Sequence, residues 1–517
     1  MIHSRTWLAT ALCLLLLAGC RSKPAQKSPN ILFVISDDQS FPYASAYGTP
    51  GVNTPNFDAV AASGVLFNNA FAPAPQCSPS RAAILTGLNI WQLEEAGTHS
   101  SYFPVKFPVF TELLKKAGYS TGYTGKAWGP GNWKDAGWAH NPVAEAYNRH
   151  TLVPPVKTIS NIDYNANFRD FYQQKQAGRP FFFWVGALEP HRPYAKGSGA
   201  GTDSVHIPAF LPNHPDVKND IADYMQEIAW FDRQLGGILD FLREQGELDN
   251  TLIVVTSDNG MPFPSAKATL MEYGTHVPLA ISWPGTVPGG RKEDGLISLI
   301  DLAPTFLQAA GLTELPSMTG HSLMPLLLQQ ASASPNEYVL TGRERHSASR
   351  PDNVGYPSRG MRTADYLFLL NLKPDRWPAG DPPPAKEEPA ASADIKPIGP
   401  GYNDIDDPSP TKSLMQAHPE QWPLLFSQGF GKKEMEQLFD IRQDPGCTRD
   451  LAADPAYDSI RHALSARLKE TLARQGDPRM TGNGDIFDSY PRFGAMRNWP
   501  GFKKRGEYNP AFQHTDH

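Results

Sequence analysis

Ile31-Leu32-Phe33-Val34-Ile35-Ser36-Asp37-Asp38 is an unbroken, β-branched apolar run that ends in a hydroxyl and two carboxylates. Without polar/apolar alternation, such a run suits a strand buried on both faces, as in a parallel sheet covered by helices. The aspartates at its carboxyl end lie where open α/β sheets gather their ligands. The pattern recurs twice. Phe181 to Ala187 empties into Glu189-Pro190-His191-Arg192, and Thr251 to Thr256 into Ser257-Asp258-Asn259-Gly260. One such ending is an ordinary loop start, but three set ionisable groups along one sheet edge.

Around these runs the sequence predicts helices over Thr54–Ser63, Val109–Ala117, Ile221–Arg243 and Asp301–Ala310, the first with Thr54 as N-cap and Pro55 at its first position. Further strands are predicted at Tyr119–Thr124, Leu279–Ser282 and Tyr338–Thr341. The alternation defines an α/β class with a large, mostly parallel central sheet, over residues 30–359. Gly360 to Asn371 reads as a hairpin opening a smaller C-terminal α+β unit, 360–517, with a strand at Glu436–Ile441 and a helix at Asp454–Gln475. Lys373 to Lys412 is dense in Pro, Ala, Asp and Glu and reads as a surface excursion without a core, a linker.

The first residues have another character. Arg5, an apolar run from Trp7 to Ala18 and Leu17-Ala18-Gly19-Cys20 have the layout of a secretory signal, too short to span a bilayer. Their end resembles the bacterial lipoprotein box, which implies cleavage before Cys20 and lipid on its thiol; a plain cleaved signal or an uncleaved anchor is the alternative. Residues 21–29 then form a tether. This reading makes the protein exported and lipid-anchored to a bacterial membrane, on its periplasmic or cell-surface side. The net charge of −6 argues against a broad basic surface and against nucleic acid as partner. An anionic substrate would instead meet a local positive pocket, which points to a small molecule or a chain end.

Cys77-Ser78-Pro79-Ser80-Arg81-Ala82-Ala83-Ile84-Leu85-Thr86-Gly87 is a pattern that packing alone does not require. Pro79 fits the first turn of a helix and Gly87 ends it. Cys77 therefore sits at a helix N-terminus, where N–H groups and the dipole favour an anion. A buried structural cysteine is the alternative. The stretch resembles the signature of the formylglycine-dependent sulfatases, in which a separate maturation enzyme reading Cys-x-Pro-x-Arg oxidises the cysteine to an aldehyde. Asp37-Asp38, the Cys77 stretch, Gly125-Lys126, Pro190-His191 and Ser257 to Gly260 also occur in that family's order. Glu189 to Arg192 and especially Ser257-Asp258-Asn259-Gly260-Met261-Pro262-Phe263-Pro264-Ser265 are most similar to the heparan N-sulfatases.

That resemblance implies an alkaline phosphatase-like sandwich with a small antiparallel C-terminal sheet. Asp37, Asp38, Asp258 and Asn259 are hard oxygen donors that suit Ca²⁺ or Mg²⁺ rather than zinc; the family makes them Ca²⁺ ligands, completed by the modified Cys77. Arg81 would orient the formylglycine hydrate, and Lys126, His191 and Lys267 would hold sulfate, with His191 as proton donor. Four cysteines are present, and with Cys13 in the signal, Cys20 lipidated and Cys77 modified, Cys447 has no disulfide partner and reads as a structural thiol. The implied activity is release of N-linked sulfate from glucosamine at a heparan or heparin chain end. The alternatives are an O-sulfatase on another sulfated sugar, a related phosphate or phosphonate ester hydrolase, and a silent glycan-binding surface protein. One departure stands out: the family usually carries a histidine two residues after the lysine, and here that residue is Trp128. Either the pocket differs or His276 takes the base role, a packing or capping role beside Pro278 being the alternative for His276. Arg192, Arg343 and His346 are candidate sugar contacts, with a solvated surface as the alternative.

Overall fold

The computed structural model describes residues 28–383 and 401–493. The signal, the lipidation site Cys20, nearly all of the tether and the middle of the Pro-rich excursion lie outside them.

Strands β1 (Asn30–Ser36), β2 (Val65–Phe71), β3 (Ser120–Gly125), β4 (Phe181–Gly186), β5 (Thr251–Ser257), β6 (His276–Ser282), β7 (Arg291–Glu293) and β8 (Ile297–Ser298) form one sheet in the order β3-β4-β1-β5-β6-β2-β7, with β8 also on β2. The first four in that order are mutually parallel, and β6 alone runs against its neighbours β5 and β2. All five apolar residues of β1 are sealed from water, each contributing about 1.5–3 kcal/mol of burial. They alternate between two cores. Ile31, Phe33 and Ile35 pack with Phe182, Trp184 and Val254 against helices Cys77–Thr86, Phe110–Lys116 and Leu302–Ala309. Leu32 and Val34 pack with Phe183, Val185 and Val255 against helices Pro55–Ser63, Tyr164–Gln174 and Pro215–Glu244. A strand buried on both faces has no polar face to alternate, which is why its sequence does not alternate.

Strand β2 was not expected from the sequence. Asn68 and Asn69 interrupt its apolar run, at a register shift against β6 between Phe67 and Ala70. It carries the chain directly toward Cys77.

A second, wholly antiparallel sheet has the order β12-β11-β10-β9, from β9 (Val339–Arg343), β10 (Ser358–Arg362), β11 (Tyr366–Asn371) and β12 (Glu436–Asp440). The hairpin stands as expected, but it does not open this unit: β9 pairs with β10, so the sheet begins at Val339 and a division at 359/360 falls inside β10. The linker reading of 373–412 also needs correction. Ala379, Asp404, Ile405 and Lys412 are buried, and Ala379 packs with Tyr402, Ile405, Met415 and Phe430 in a core of their own.

Candidate active site

The parallel register of β3, β4, β1 and β5 brings four strand ends side by side, and backbone bonds extend the zip past them. Lys126 N donates to Gly186 O, Asp37 N to Glu189 O and Asp258 N to Ser36 O. Lys126, His191, Asp37, Asp38, Asp258 and Asn259 are thus set at one edge by hydrogen bonding. The helix that begins at Cys77 arrives there from β2 and ends at Gly87, whose φ of +68° a glycine adopts without strain.

The groups form one network. Cys77 Sγ lies 3.2 Å from Asp37 Oδ1, and Lys126 Nζ is 2.5 Å from Asp37 Oδ2. Arg81 donates from Nε to Asp258 Oδ2 at 2.8 Å, Lys267 pairs with Asp38 Oδ1, and Asn259 Nδ2 donates to the same oxygen at 2.6 Å. His191 Nδ1 faces the carbonyl of Arg192 at 2.7 Å, an acceptor only, so Nδ1 carries the hydrogen and Nε2 is turned to Asp38 Oδ2 at 3.8 Å. Asp38 itself has φ +73°, a left-handed conformation that aspartate tolerates better than most side chains.

Burial raises the Asp37 carboxyl, but Lys126 and His191 outweigh it and hold it below the usual range. At Asp258 burial wins over Arg81 and the carboxyl is pushed up. Burial, then Asp37, pushes the Cys77 thiol well up, so as a free thiol it is a poor nucleophile. Burial would depress Lys267, yet Asp38 raises it well above the ordinary lysine.

Asp38 Oδ2 and Asn259 Oδ1 are buried oxygens without a hydrogen-bond partner, an expensive state in a protein interior unless a cation meets them. Ligand atoms of Asp37, Cys77 and Asp258 lie within 4.8 Å of one another. Donors that are oxygens apart from the Cys77 sulfur fit a hard divalent cation, and an oxygen in place of that sulfur would complete the set.

Above the network is a cavity of about 580 Å³ bordered by Cys77, Lys126, His191, Lys267 and His346, all expected at the site. Two expected sugar contacts, Arg192 and Arg343, and the base role offered to His276 are corrected. Arg192 borders the cavity, but its guanidinium is committed: it forks onto Asp220 at 2.8 and 2.7 Å between the rings of Tyr194 and Phe263. Arg343 is buried against Asp404 and Pro378 O. His276 stacks between Phe41 and Phe71 with centroids at 4.0 and 4.6 Å, and its ring nitrogens meet Glu272 and Asn68 O. Its role is packing. Trp128 donates from Nε1 to Ser78 O at 3.1 Å and leans on Phe103, so it braces the start of the Cys77 helix.

The cavity also holds groups that the sequence did not single out. His99 stands edge-on to His346 at 4.6 Å, and both imidazoles are pushed down by burial, His346 to about 4. Glu227 and Asp406 are two further carboxyls bordering the cavity. Neither they nor His99 lie at a strand end, and the only sequence signal was the acidic Asp404-Ile405-Asp406-Asp407 closing the Pro-rich stretch.

This arrangement of metal-type donors, cysteine, arginine and cations is the site of a sulfatase, and the chain belongs to that family: the family described as Sulfatase matches residues 29–312. It is a sulfate ester or sulfamate hydrolase. The family described as N-sulphoglucosamine sulphohydrolase, C-terminal, matches residues 266–371. Human N-sulphoglucosamine sulphohydrolase is 28% identical over 90% of this chain and 93% of its own. An ulvan-active sulfatase of Formosa agariphila is 27% identical over 88% of this chain and 82% of its own. Among solved structures, BT4656 in complex with its substrate D-glucosamine-2-N,6-O-disulfate superposes with a TM-score of 0.60 at 20% identity, covering 87% of this chain and 99% of that one. The phosphonate monoester hydrolase of Agrobacterium radiobacter gives 0.59 at 18%, covering 88% and 97%. At these identities the last two likenesses concern the fold alone.

Proposed function

We propose that this enzyme removes the N-linked sulfate from glucosamine at a heparan or heparin chain end. The observation that carries the reading is the joint placement of Cys77, Arg81, Asp258 and the three cations at one sheet edge, in a chain that resembles N-sulphoglucosamine sulphohydrolase along most of its length.

Asp37, Asp38, Asp258 and Asn259 would hold Ca²⁺, which with a formylglycine made from Cys77 by a maturation enzyme supplies Lewis acidity and an oxygen nucleophile. The rest is the work of the chain. Lys126 and Lys267 line the cavity beside Cys77 and neutralise the sulfate oxygens there. Arg81, fixed by Asp258 and by the carbonyls of Lys126 and Ala127, presents its remaining N–H groups toward Asp37. Burial would depress His191, but Asp38 and Asp37 outweigh it and raise it above the ordinary imidazole; the charged ring keeps its Nδ1 hydrogen on a carbonyl and offers the Nε2 proton to the leaving atom. In this proposal the enzyme is exported and held to the membrane through lipid on Cys20.

The test is sulfate release in Ca²⁺ by protein whose residue 77 is confirmed as the aldehyde by peptide mass, comparing glucosamine N-sulfate with glucosamine 6-O-sulfate. Release from the N-sulfate is expected. Release from the 6-O isomer alone would overturn the substrate and leave the chemistry standing.

A further inference from the structure

Asp406 is held in place by the residues around it. Two residues earlier, Asp404 is fully buried and accepts from Arg343 at 2.7 Å, Arg350 at 2.6 Å and Ser349 at 2.8 Å. Ile405 is buried beside it, and Lys412 ties Ile405 O and Asp407 at 2.9 and 2.6 Å. The carboxylate is thereby fixed on the cavity wall. Its Oδ2 is 3.5 Å from Lys267 Nζ, too long for a hydrogen bond, and has no hydrogen-bond partner. Ligand atoms of Asp38, His191 and Asp406 lie within 4.8 Å of one another. A leaving atom close enough to take a proton from His191 is therefore within reach of Asp406.

The two kinds of sulfate differ at that atom. A sulfamate nitrogen bears a hydrogen, whereas the bridging oxygen of a sulfate ester bears only lone pairs. Hydrolysis also leaves different products: R–NH–SO₃⁻ and H₂O give R–NH₃⁺ and SO₄²⁻. The S–N bond breaks with its electron pair on nitrogen, the water oxygen ends on sulfur, and both water protons end on nitrogen. An ester leaves a neutral alcohol instead. Resting on the sulfatase reading above, we infer that Asp406 is the specificity-determining residue for the bond: its carboxylate accepts the sulfamate N–H, pairs with the ammonium that forms, and disfavours an ester oxygen. Of the cations lining the cavity beside it, Lys267 is 3.5 Å away but hydrogen-bonded to Asp38, and the Arg192 guanidinium is held by Asp220.

The test compares wild type, Asp406→Asn and Asp406→Glu, all with the aldehyde at residue 77, on glucosamine N-sulfate and glucosamine 6-O-sulfate. Asp406→Asn should lower kcat/KM for the N-sulfate by about tenfold or more, the worth of a charge-assisted hydrogen bond, and should raise rather than lower it for the ester. Asp406→Glu, which keeps the charge, should keep the preference. Calorimetry on the unconverted Cys77 protein gives a readout independent of turnover: glucosamine, an ammonium, should bind about tenfold more weakly to Asp406→Asn, and N-acetylglucosamine equally to both. An equal loss on both substrates, or an unchanged ratio, overturns the inference and leaves the sulfatase reading intact. Wild type that releases sulfate only from the ester overturns the N-sulfate reading itself, whatever the variants do.

Discussion

Arg81 Nε donates to Asp258 Oδ2 at 2.8 Å with both side chains sealed from water, and its Nη1 donates to the carbonyls of Lys126 and Ala127. One guanidinium thus ties the Cys77 helix, the end of β5 and the loop after β3. Arg81→Ala strands a buried carboxylate and the Ala127 carbonyl, so we expect a loss of about 3–5 kcal/mol in urea unfolding together with all sulfate release. Arg81→Lys restores charge without the fork and should recover only part of the stability. A variant Arg81→Ala as stable as wild type would show that the network bears no structural load.

Asp37, Asp38 and Asp258 crowd one buried site with two oxygens lacking partners. Ca²⁺ should raise the thermal midpoint, by about 2.7 kcal/mol of stability at a hundredfold excess over its dissociation constant, and a chelator should reverse it. Asn259→Ala should weaken the response. A midpoint indifferent to millimolar Ca²⁺ would remove the metal assignment.

The carboxyl of Glu227 is pushed up to about 8 by burial first and by nearby Glu189 second. Its folded value lies above its unfolded one, near 4.5. The stability it contributes is complete below about pH 4.5 and is lost as the pH rises through 8. Glu227→Gln should therefore flatten the fall in thermal midpoint between pH 5 and 8 and gain more than ~1 kcal/mol at the upper end. Parallel wild-type and variant profiles would contradict this.

His276 is a stacked, buried ring far from bare solvent, paired with Glu272, which Arg362 also holds at 2.6 Å. His276→Ala should cost about 2–4 kcal/mol through lost stacking and an unbalanced carboxylate, with kcat unchanged for the folded fraction. A fall in kcat without a fall in stability would return the ring to the chemistry.

The strand ends that carry the chemistry were legible because a strand buried on both faces must be apolar throughout, so the first polar residue after it marks the sheet edge. Ile31 to Asp38 and Thr251 to Asn259 show this directly. Strand β2 escaped because Asn68 and Asn69 sit at its bulge, where exposure relaxes the apolar demand. His276 packs, as one of the two readings of it had it, and Arg343 misled because a guanidinium near a site has the same letter whether it faces ligand or an internal carboxylate. Asp406 had no signal beyond the acidic run around it: its position depends on Arg343 and Arg350 gripping Asp404, a pairing with no local signature.

Asp404 and Asp406 are two residues apart, yet one only anchors and the other only faces the cavity. The segment that carries them contributes no strand to the central sheet, so a substitution at residue 406 leaves the strand ends and the Cys77 helix in place. Natural variation confined to residue 406 and its neighbours can therefore redirect which sulfated sugars are taken while Asp404 keeps the wall in place. An ancestral enzyme could change diet without altering the central sheet or the residues at its edge.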